Sequence, residues 1–332
     1  MNKELKINMV PMDPFACGMY RVKNIADLLY KDYKITISPP GSFHNYGQDI
    51  IFTQRVAGTK NIETLLAVKK ASKAKFIADY DDDVWNELPK YNLTAVNWRD
   101  NKASMKDKLN ELLDLATVST ETLKESLSEF IPASKIIVIP NMLPRFKWNY
   151  PRINPPTTNS ILYAGSPTHF SNQLKIYGDF TEEWNKFLQN KEVNIMGICP
   201  WFIKPTKVYD WVDMNCYAHN FYGIASQNRF IIAPLADNYF NKCKSDLKYL
   251  ESCAVGRVAL VTDFDNSPYH FAHELQKIPV RATAKQIEYA MNQCNEHYQE
   301  IIEYQYEYLN KRWLENNLEQ YIKLFEQPIV KI

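Results

Sequence analysis

Asn241–Glu251 reads NKCKSDLKYLE and runs directly into SCAVGRVALVTDF at 252–264. The apolar run Val258–Thr262 suits a buried parallel strand. The polar part before it opens a helix over Lys244–Cys253, carrying Lys242, Lys244, Ser245, Asp246, Lys248 and Glu251 within about three turns. Loop, helix and returning strand in that order belong to a βαβ unit, which puts the chain in the α/β class. Backbone N–H groups at a helix start, with lysines beside them, form a site for a diphosphate. A carboxylate two turns on, Glu251, is placed to accept hydrogen bonds from the two hydroxyls of a ribose. The stretch suits a nucleotide-linked donor.

The same alternation extends in both directions. Strands are expected at 5–10, 33–38, 49–54, 75–80, 115–119 and 135–140, with helices over Tyr20–Tyr30, Asn61–Ser72, Lys102–Leu113 and Thr120–Glu129. NYPRINPPTTNS at 149–160 is the best linker. The pattern then restarts, with strands at 160–166, 192–198, 209–214, 229–235, 257–262 and 278–282. Helices are expected over Gln173–Gln189, Lys244–Cys253 and Ser267–Glu274, and a long amphipathic helical region over Ala284–Phe325 breaks near Tyr308–Lys311. The expected architecture is α/β: two Rossmann-like domains, 1–150 and 151–310, facing across a cleft, with a C-terminal helix at 311–332 packing back on the first domain. Ligands of such sheets sit beyond the carboxyl ends of the strands, so function is sought in the strand-exit loops.

Composition narrows the classes. A chain of 332 residues with 45% hydrophobic residues has material for two cores. The balance of 39 basic against 38 acidic residues gives no global field for nucleic acid or membrane. The cysteines at 17, 199, 216, 243, 253 and 294 include no CxxC pair and no metal-ligand spacing, which fits reduced thiols in a cytoplasmic protein. MNKELKINMV carries no apolar core long enough for a signal peptide, and no run approaches the roughly 20 apolar residues of a membrane span. Neither GxGxxG nor GxxxxGK[ST], GxSxG or HExxH occurs.

Among the strand exits, MDPFACGMYR at 12–21 offers Gly18 for close backbone approach and Arg21 for an anion; a structural loop is the plainer reading. DYDDD at 79–83 places four carboxylates at one exit. They are a solvated loop with helix caps, a Mg or Mn site, or groups that orient and deprotonate a hydroxyl. Arg55 and Trp85 stand beside them. Ser166, Thr168 and His169 after the 160–166 strand are able to donate to phosphate oxygens, although a structural histidine is the competing reading. Cys199–Trp201 and Ala218–Gly223 are candidates to shape a base pocket.

With two tandem α/β domains, the Lys244–Glu251 helix, YAGSPTH at 163–169 and the final helical region, the chain resembles the GT-B glycosyltransferases, in particular retaining enzymes of the family-four type. The likeness spans nearly the whole chain. It is strongest over Ser160–His169 and Pro234–Asp263 and takes in FTQR at 52–55 and DYDDDVW at 79–85. The resemblance implies that Glu251 holds the donor ribose, that Lys244, Ser245 and Lys248 hold the diphosphate, and that Gly18 and Ser166 belong to the two phosphate loops. Arg21, His169 and Asp246 complete the expected donor site. Asp81 and Asp82 are the expected catalytic carboxylates, and Arg55, Asp83 and Trp85 the acceptor side. One departure stands out: a pair of glutamates with seven residues between them would require Glu at 243, where the chain has Cys243. Asn241 or Asp246 would then take the sugar hydroxyl.

The implied reaction uses a UDP-linked sugar and retains the anomeric configuration by a front-face route. Lysines and helix N–H groups stabilise the leaving diphosphate, with no metal or other cofactor required. Phages with modified genomes carry such enzymes for hydroxymethylated pyrimidines, and a lysine-rich, arginine-poor chain fits that source. The expected partner is therefore double-stranded DNA bearing 5-hydroxymethylpyrimidines, contacted through Lys69, Lys70, Lys73, Lys75, Arg99 and Lys102 in the host cytoplasm. A surface glycan or small molecule is the rival acceptor. A sugar-nucleotide-binding protein without chemistry is a third reading.

Overall fold

The computed structural model describes residues 4–43, 47–86, 88–93, 101–106, 108–210 and 214–328. Among these, the strands form two six-stranded sheets in which every pairing is parallel. The first sheet holds β1 (Lys6–Val10), β2 (Lys34–Ile37), β3 (Ile50–Gln54), β4 (Lys75–Tyr80), β5 (Leu115–Val118) and β6 (Ile136–Val138) in the order β2-β1-β3-β4-β5-β6. The second holds β7 (Ile161–Gly165), β8 (Val193–Gly197), β9 (Lys207–Tyr209), β10 (Phe230–Ala233), β11 (Val258–Asp263) and β12 (Lys277–Pro279) in the order β12-β11-β10-β7-β8-β9. Helices cover both faces, which is why strands such as ILYAG and VNIMG are buried at every position.

These orders locate the ligand site before any side chain is considered. The winding direction reverses between β1 and β3 in the first sheet and between β7 and β10 in the second. Crevices at such reversals, beyond the carboxyl ends of the strands, are where doubly wound sheets bind ligands.

The chain crosses between the sheets twice. At the crossings Leu143 and Trp313 form an isolated parallel bridge, and Leu143 N–H donates to the Arg312 carbonyl at 3.1 Å while Leu314 N–H donates to that of Leu143 at 2.9 Å. Helix Leu318–Glu326 then lies on the first sheet, where Leu314, Tyr321, Leu324 and Phe325 share a core with Ile7, Phe52 and Ile77. Phe325 meets Phe52 edge-on at 5.7 Å between ring centres. Among the described residues no helix is long and apolar enough to cross a membrane.

Several expected helices are shorter. Gln173–Gln189 reduces to Glu182–Leu188, because Gly178 adopts φ +71° and folds the chain back onto His169. Ser267–Glu274 is a turn followed by the single 3-10 turn Glu274–Gln276, with Asn266 at φ +61°. Lys102–Leu113 divides into Asn101–Met105 and Leu109–Leu112. The helix of the deciding stretch begins at Leu247, so Lys244 and Ser245 lie in the loop before it, after a short helix Tyr239–Lys242. The final region breaks at His297 as well as after Asn310. Of the expected strand 209–214, residues 211–213 lie outside the described residues, as does Arg99.

Candidate functional site

A cleft of about 190 Å³ lies between the two reversal points. The first domain contributes Cys17, Tyr20, Arg21, Asp81, Asp82 and Asn141, and the second contributes Ser166, Thr168, His169, Leu235, Lys244, Ser245, Leu247, Lys248 and Tyr269. The loops after β1, β4, β7 and β10 thus meet at one place. An ion pair and hydrogen bonds cross the gap. Lys244 Nζ lies 3.5 Å from Asp82 Oδ1, Asn141 Nδ2 donates to Ser245 Oγ at 2.7 Å, and Tyr20 OH donates to Glu251 Oε1 at 2.8 Å.

Arg55 organises the acidic exit of β4. Its Nε donates to Asp81 Oδ1 at 2.7 Å, and its Nη2 to Asp81 Oδ2 at 3.1 Å, to Asp82 Oδ2 at 3.0 Å and to Cys17 Sγ at 2.9 Å. Burial pushes the Asp81 carboxyl up, but Arg55 more than offsets this and holds it below the usual carboxylate range. Asp81 is therefore a charged anchor with both oxygens engaged. Asp82 keeps an edge toward the cleft and is the better placed of the two to orient a hydroxyl. Ligand atoms of Cys17, Asp81 and Asp82 lie within 4.8 Å of one another, yet the Arg55 guanidinium already bridges all three. Arg55, expected on the acceptor side, is engaged here by these carboxylates.

The second domain presents a cationic wall. Lys244 rests 4.4 Å from the centre of the Phe240 ring, which holds its stem toward Asp82. Lys248 Nζ donates to Glu251 Oε2 at 2.8 Å and to Tyr217 OH at 3.1 Å. Burial works against its charge, but Glu251 beside it prevails and keeps Lys248 above the usual lysine range. Glu251 is 1% exposed and also receives Tyr217 OH at 3.3 Å, so three groups of the protein already occupy the carboxylate expected to hold a ribose. Ser166 Oγ and Thr168 Oγ1 are 2.7 Å apart, and His169 Nδ1 lies 2.7 Å from Asp179 Oδ2.

Other expectations need correction. Arg21 sits at the buried back of the cleft: it is 1% exposed, pairs with the buried Asp79 at 2.6 Å, and gives its Nη1 to the Ile139 carbonyl and Asn141 Oδ1. Asp83 is no acceptor contact, since its Oδ1 receives the backbone N–H groups of Trp85 and Asn86 at 3.4 and 3.2 Å, an Asx turn. Trp85 is core, with Nε1 on Ser126 Oγ at 2.9 Å and its ring edge-on to Tyr80 and Phe130. Asp246 points away from the cleft to a double bond with Arg312, both contacts 2.9 Å. Asn241 donates to Asp179 Oδ1 at 2.6 Å, so both Asn241 and Asp246, the two residues expected near a sugar hydroxyl, are engaged by protein partners. Gly18 is required by packing: a Cβ there would lie 2.1 Å from the Asp13 carbonyl, and its N–H donates to Asp13 Oδ1 at 3.3 Å. Lys69 is committed to the Leu112 carbonyl and Asp114, Lys75 to the carbonyls of Leu324 and Gln327, and Lys102 to Glu129. Lys70 and Lys73 are exposed.

Asp179, Tyr91 and Asn141 went unnoticed in the sequence. The one local signal for Asp179 is Gly178 before it, a glycine inside a stretch otherwise read as helix.

No protein-family model matches the chain, and no curated protein is similar to it in sequence. Its fold does match solved structures. A sucrose-phosphate synthase from Thermosynechococcus elongatus superposes with a TM-score of 0.62 at 11% identity, over 98% of this chain and 99% of that one. A lipopolysaccharide outer core galactosyltransferase gives 0.61 at 12% identity, over 98% and 100%. An alpha-glucosyltransferase in complex with UDP and a 13-mer DNA containing a central A:G mismatch gives 0.60 at 9% identity, over 98% and 100%. The likeness runs from end to end of both domains, and the fold of this chain is GT-B.

Proposed function

We propose that this protein is a glycosyltransferase that moves a sugar from a nucleoside-diphosphate donor to a hydroxyl acceptor in the interdomain cleft. The observation that carries the reading is the meeting of Lys244 and Lys248 from one domain with Asp82 from the other, at the reversal points of both sheets. Fold-level likeness to enzymes of this class adds support by analogy.

In the proposed reaction the bond between the anomeric carbon and the phosphate oxygen breaks, and its electron pair stays on the diphosphate. Lys244 and Lys248 offset that charge, which removes the need for a metal. The acceptor oxygen bonds to the anomeric carbon on the same face, with retention, and its proton passes to Asp82. The donor we assign is UDP-linked.

The acceptor we assign is 5-hydroxymethylpyrimidine in duplex DNA. What supports it is the lysine-rich composition, the exposed Lys70 and Lys73, and the fold-level match to a DNA-bound glucosyltransferase. A glycan acceptor is the second reading, favoured by the commitment of Lys69, Lys75 and Lys102 to protein partners. A single experiment separates them. The protein is incubated with UDP-sugars and DNA containing 5-hydroxymethylcytosine, and nucleosides are analysed by mass spectrometry. A hexose or pentose gain on the modified base establishes chemistry and acceptor together. UDP release without gain keeps the transferase and moves the acceptor to glycans. Neither release nor gain from any nucleotide sugar defeats the reading.

A further inference from the structure

His169 reaches the cleft from a loop whose shape is fixed behind it. Asp179 N–H donates to the His169 carbonyl at 2.8 Å. Gly178 between them adopts φ +71°, and any Cβ there would lie 2.2 Å from the His169 carbonyl oxygen, so only glycine fits. The reversal brings Asp179 Oδ2 to 2.7 Å from His169 Nδ1. With Nδ1 engaged, Nε2 is the polar atom the ring has left for the cleft that His169 lines.

Asp179 is 2% exposed and fully coordinated. Its Oδ1 receives Asn241 Nδ2 at 2.6 Å, the Ala236 N–H at 3.2 Å and the hydroxyl of Tyr91. Tyr91 belongs to the first domain, in the segment after β4, whereas Asp179, Asn238 and Asn241 belong to the second. Asn238 Nδ2 donates in turn to Tyr91 OH at 3.2 Å. Burial and the adjacent Asp179 push the Tyr91 phenol up, so it stays a donor. A buried carboxylate behind an imidazole, tied to both halves of a cleft, is the arrangement that fixes the orientation of the ring and the direction in which its far nitrogen points.

We propose that Asp179 is a positioning residue: it holds His169 with Nδ1–H on its carboxylate so that Nε2–H donates to an oxygen of the leaving diphosphate, and Tyr91 completes the arrangement only when the domains are closed. This rests on the glycosyltransferase reading. It also supplies a donor to the diphosphate from the loop after β7, facing Lys244 of the segment after β10 and Lys248 in the helix that follows.

The test uses the full chain and UDP as probe. UDP affinity is measured by titration calorimetry for wild type, His169→Gln, Asp179→Asn, the double variant and Tyr91→Phe. Loss of one charge-assisted hydrogen bond corresponds to roughly tenfold to a hundredfold weaker binding. That loss is expected for each of the first two variants, with the double variant no weaker than the worse single one. Tyr91→Phe is expected to weaken UDP less than Asp179→Asn does. Imidazole nitrogen–proton correlation spectra of the UDP complex report hydrogen on both Nδ1 and Nε2 in wild type and the loss of Nδ1–H in Asp179→Asn, a change that a merely structural role for Asp179 would not produce. UDP affinity within about twofold of wild type in both single variants, or fully additive losses, overturns the proposal while leaving the glycosyltransferase reading in place. If Asp179→Asn does not fold, His169→Gln decides: unchanged UDP affinity refutes the role. A wild-type protein that binds no nucleoside diphosphate overturns both readings.

Discussion

Replacing Lys244 by alanine tests the centre of the proposed site. In the free protein its ammonium lies 3.5 Å from Asp82 Oδ1, and both side chains are largely buried, 15% and 21% exposed. At an effective dielectric constant of about 20, charges that far apart attract by roughly 5 kcal/mol before desolvation. A diphosphate entering the cleft competes for the same ammonium, so the net loss in the variant is smaller than this. Removal of one charge-assisted bond is worth about 1.5–3 kcal/mol, or roughly 10- to 150-fold in affinity. Lys244→Ala also leaves Asp82 with Arg55 as its neutralising partner, and the excess negative charge repels the incoming phosphate. Asp82→Asn added to Lys244→Ala should therefore restore part of the lost UDP affinity. Asp82→Asn alone should bind UDP at least as well as wild type and yet turn over more slowly. The assay is UDP titration by calorimetry at fixed ionic strength, paired with initial rates of sugar transfer. UDP affinity unchanged in Lys244→Ala removes the lysine from the donor site, and a double variant weaker than Lys244→Ala refutes the electrostatic argument. Full turnover in Asp82→Asn removes that carboxylate from the chemistry.

Arg312→Met strands Asp246, which is 4% exposed, and should cost about 3–5 kcal/mol in urea unfolding; adding Asp246→Asn should recover much of it, and a loss below about 1 kcal/mol would mean that the pair is not held in solution. Burial pulls Lys75 down to about 8. The unfolded lysine keeps its proton to about 10.4, so between these values the unfolded chain binds more protons and stability should rise with pH. The slope of unfolding free energy against pH across that window should be shallower in Lys75→Met, and an identical slope would refute the burial. Trp85→Phe removes the bond to Ser126 and leaves a cavity, so thermal stability should fall while the KM for acceptor stays unchanged; a raised KM would return Trp85 to the acceptor site.

The sheets were legible because parallel strands buried on both faces read as short apolar runs, and helices that cover them fill the intervals. Even the loops that build the cleft were identified, since strand exits follow from the strands. What could not be read is which charge meets which. Arg21 looked free because its partner Asp79 stands 58 residues away and was grouped with Asp81–Asp83. Asp79 ends inside β4, however, while Asp83 closes a turn, so one acidic cluster in sequence serves three different purposes in space. Asp246 sits between Lys244 and Lys248 in sequence, but the returning chain brings Arg312 to it from 66 residues on. Lys244 finds Asp82 across 162 residues. Local chemistry at single residues was passed over: Gly178 stood inside an expected helix, and Asp83, which closes an Asx turn, was given to the acceptor side. Ion pairing is settled by topology, and a residue's availability to a ligand depends on what else the fold brings within reach. Among the charged residues that line the cleft, Arg21 and Asp81 are held by buried pairs, while Lys244, Lys248 and Asp82 have pairings that an incoming diphosphate and acceptor can share.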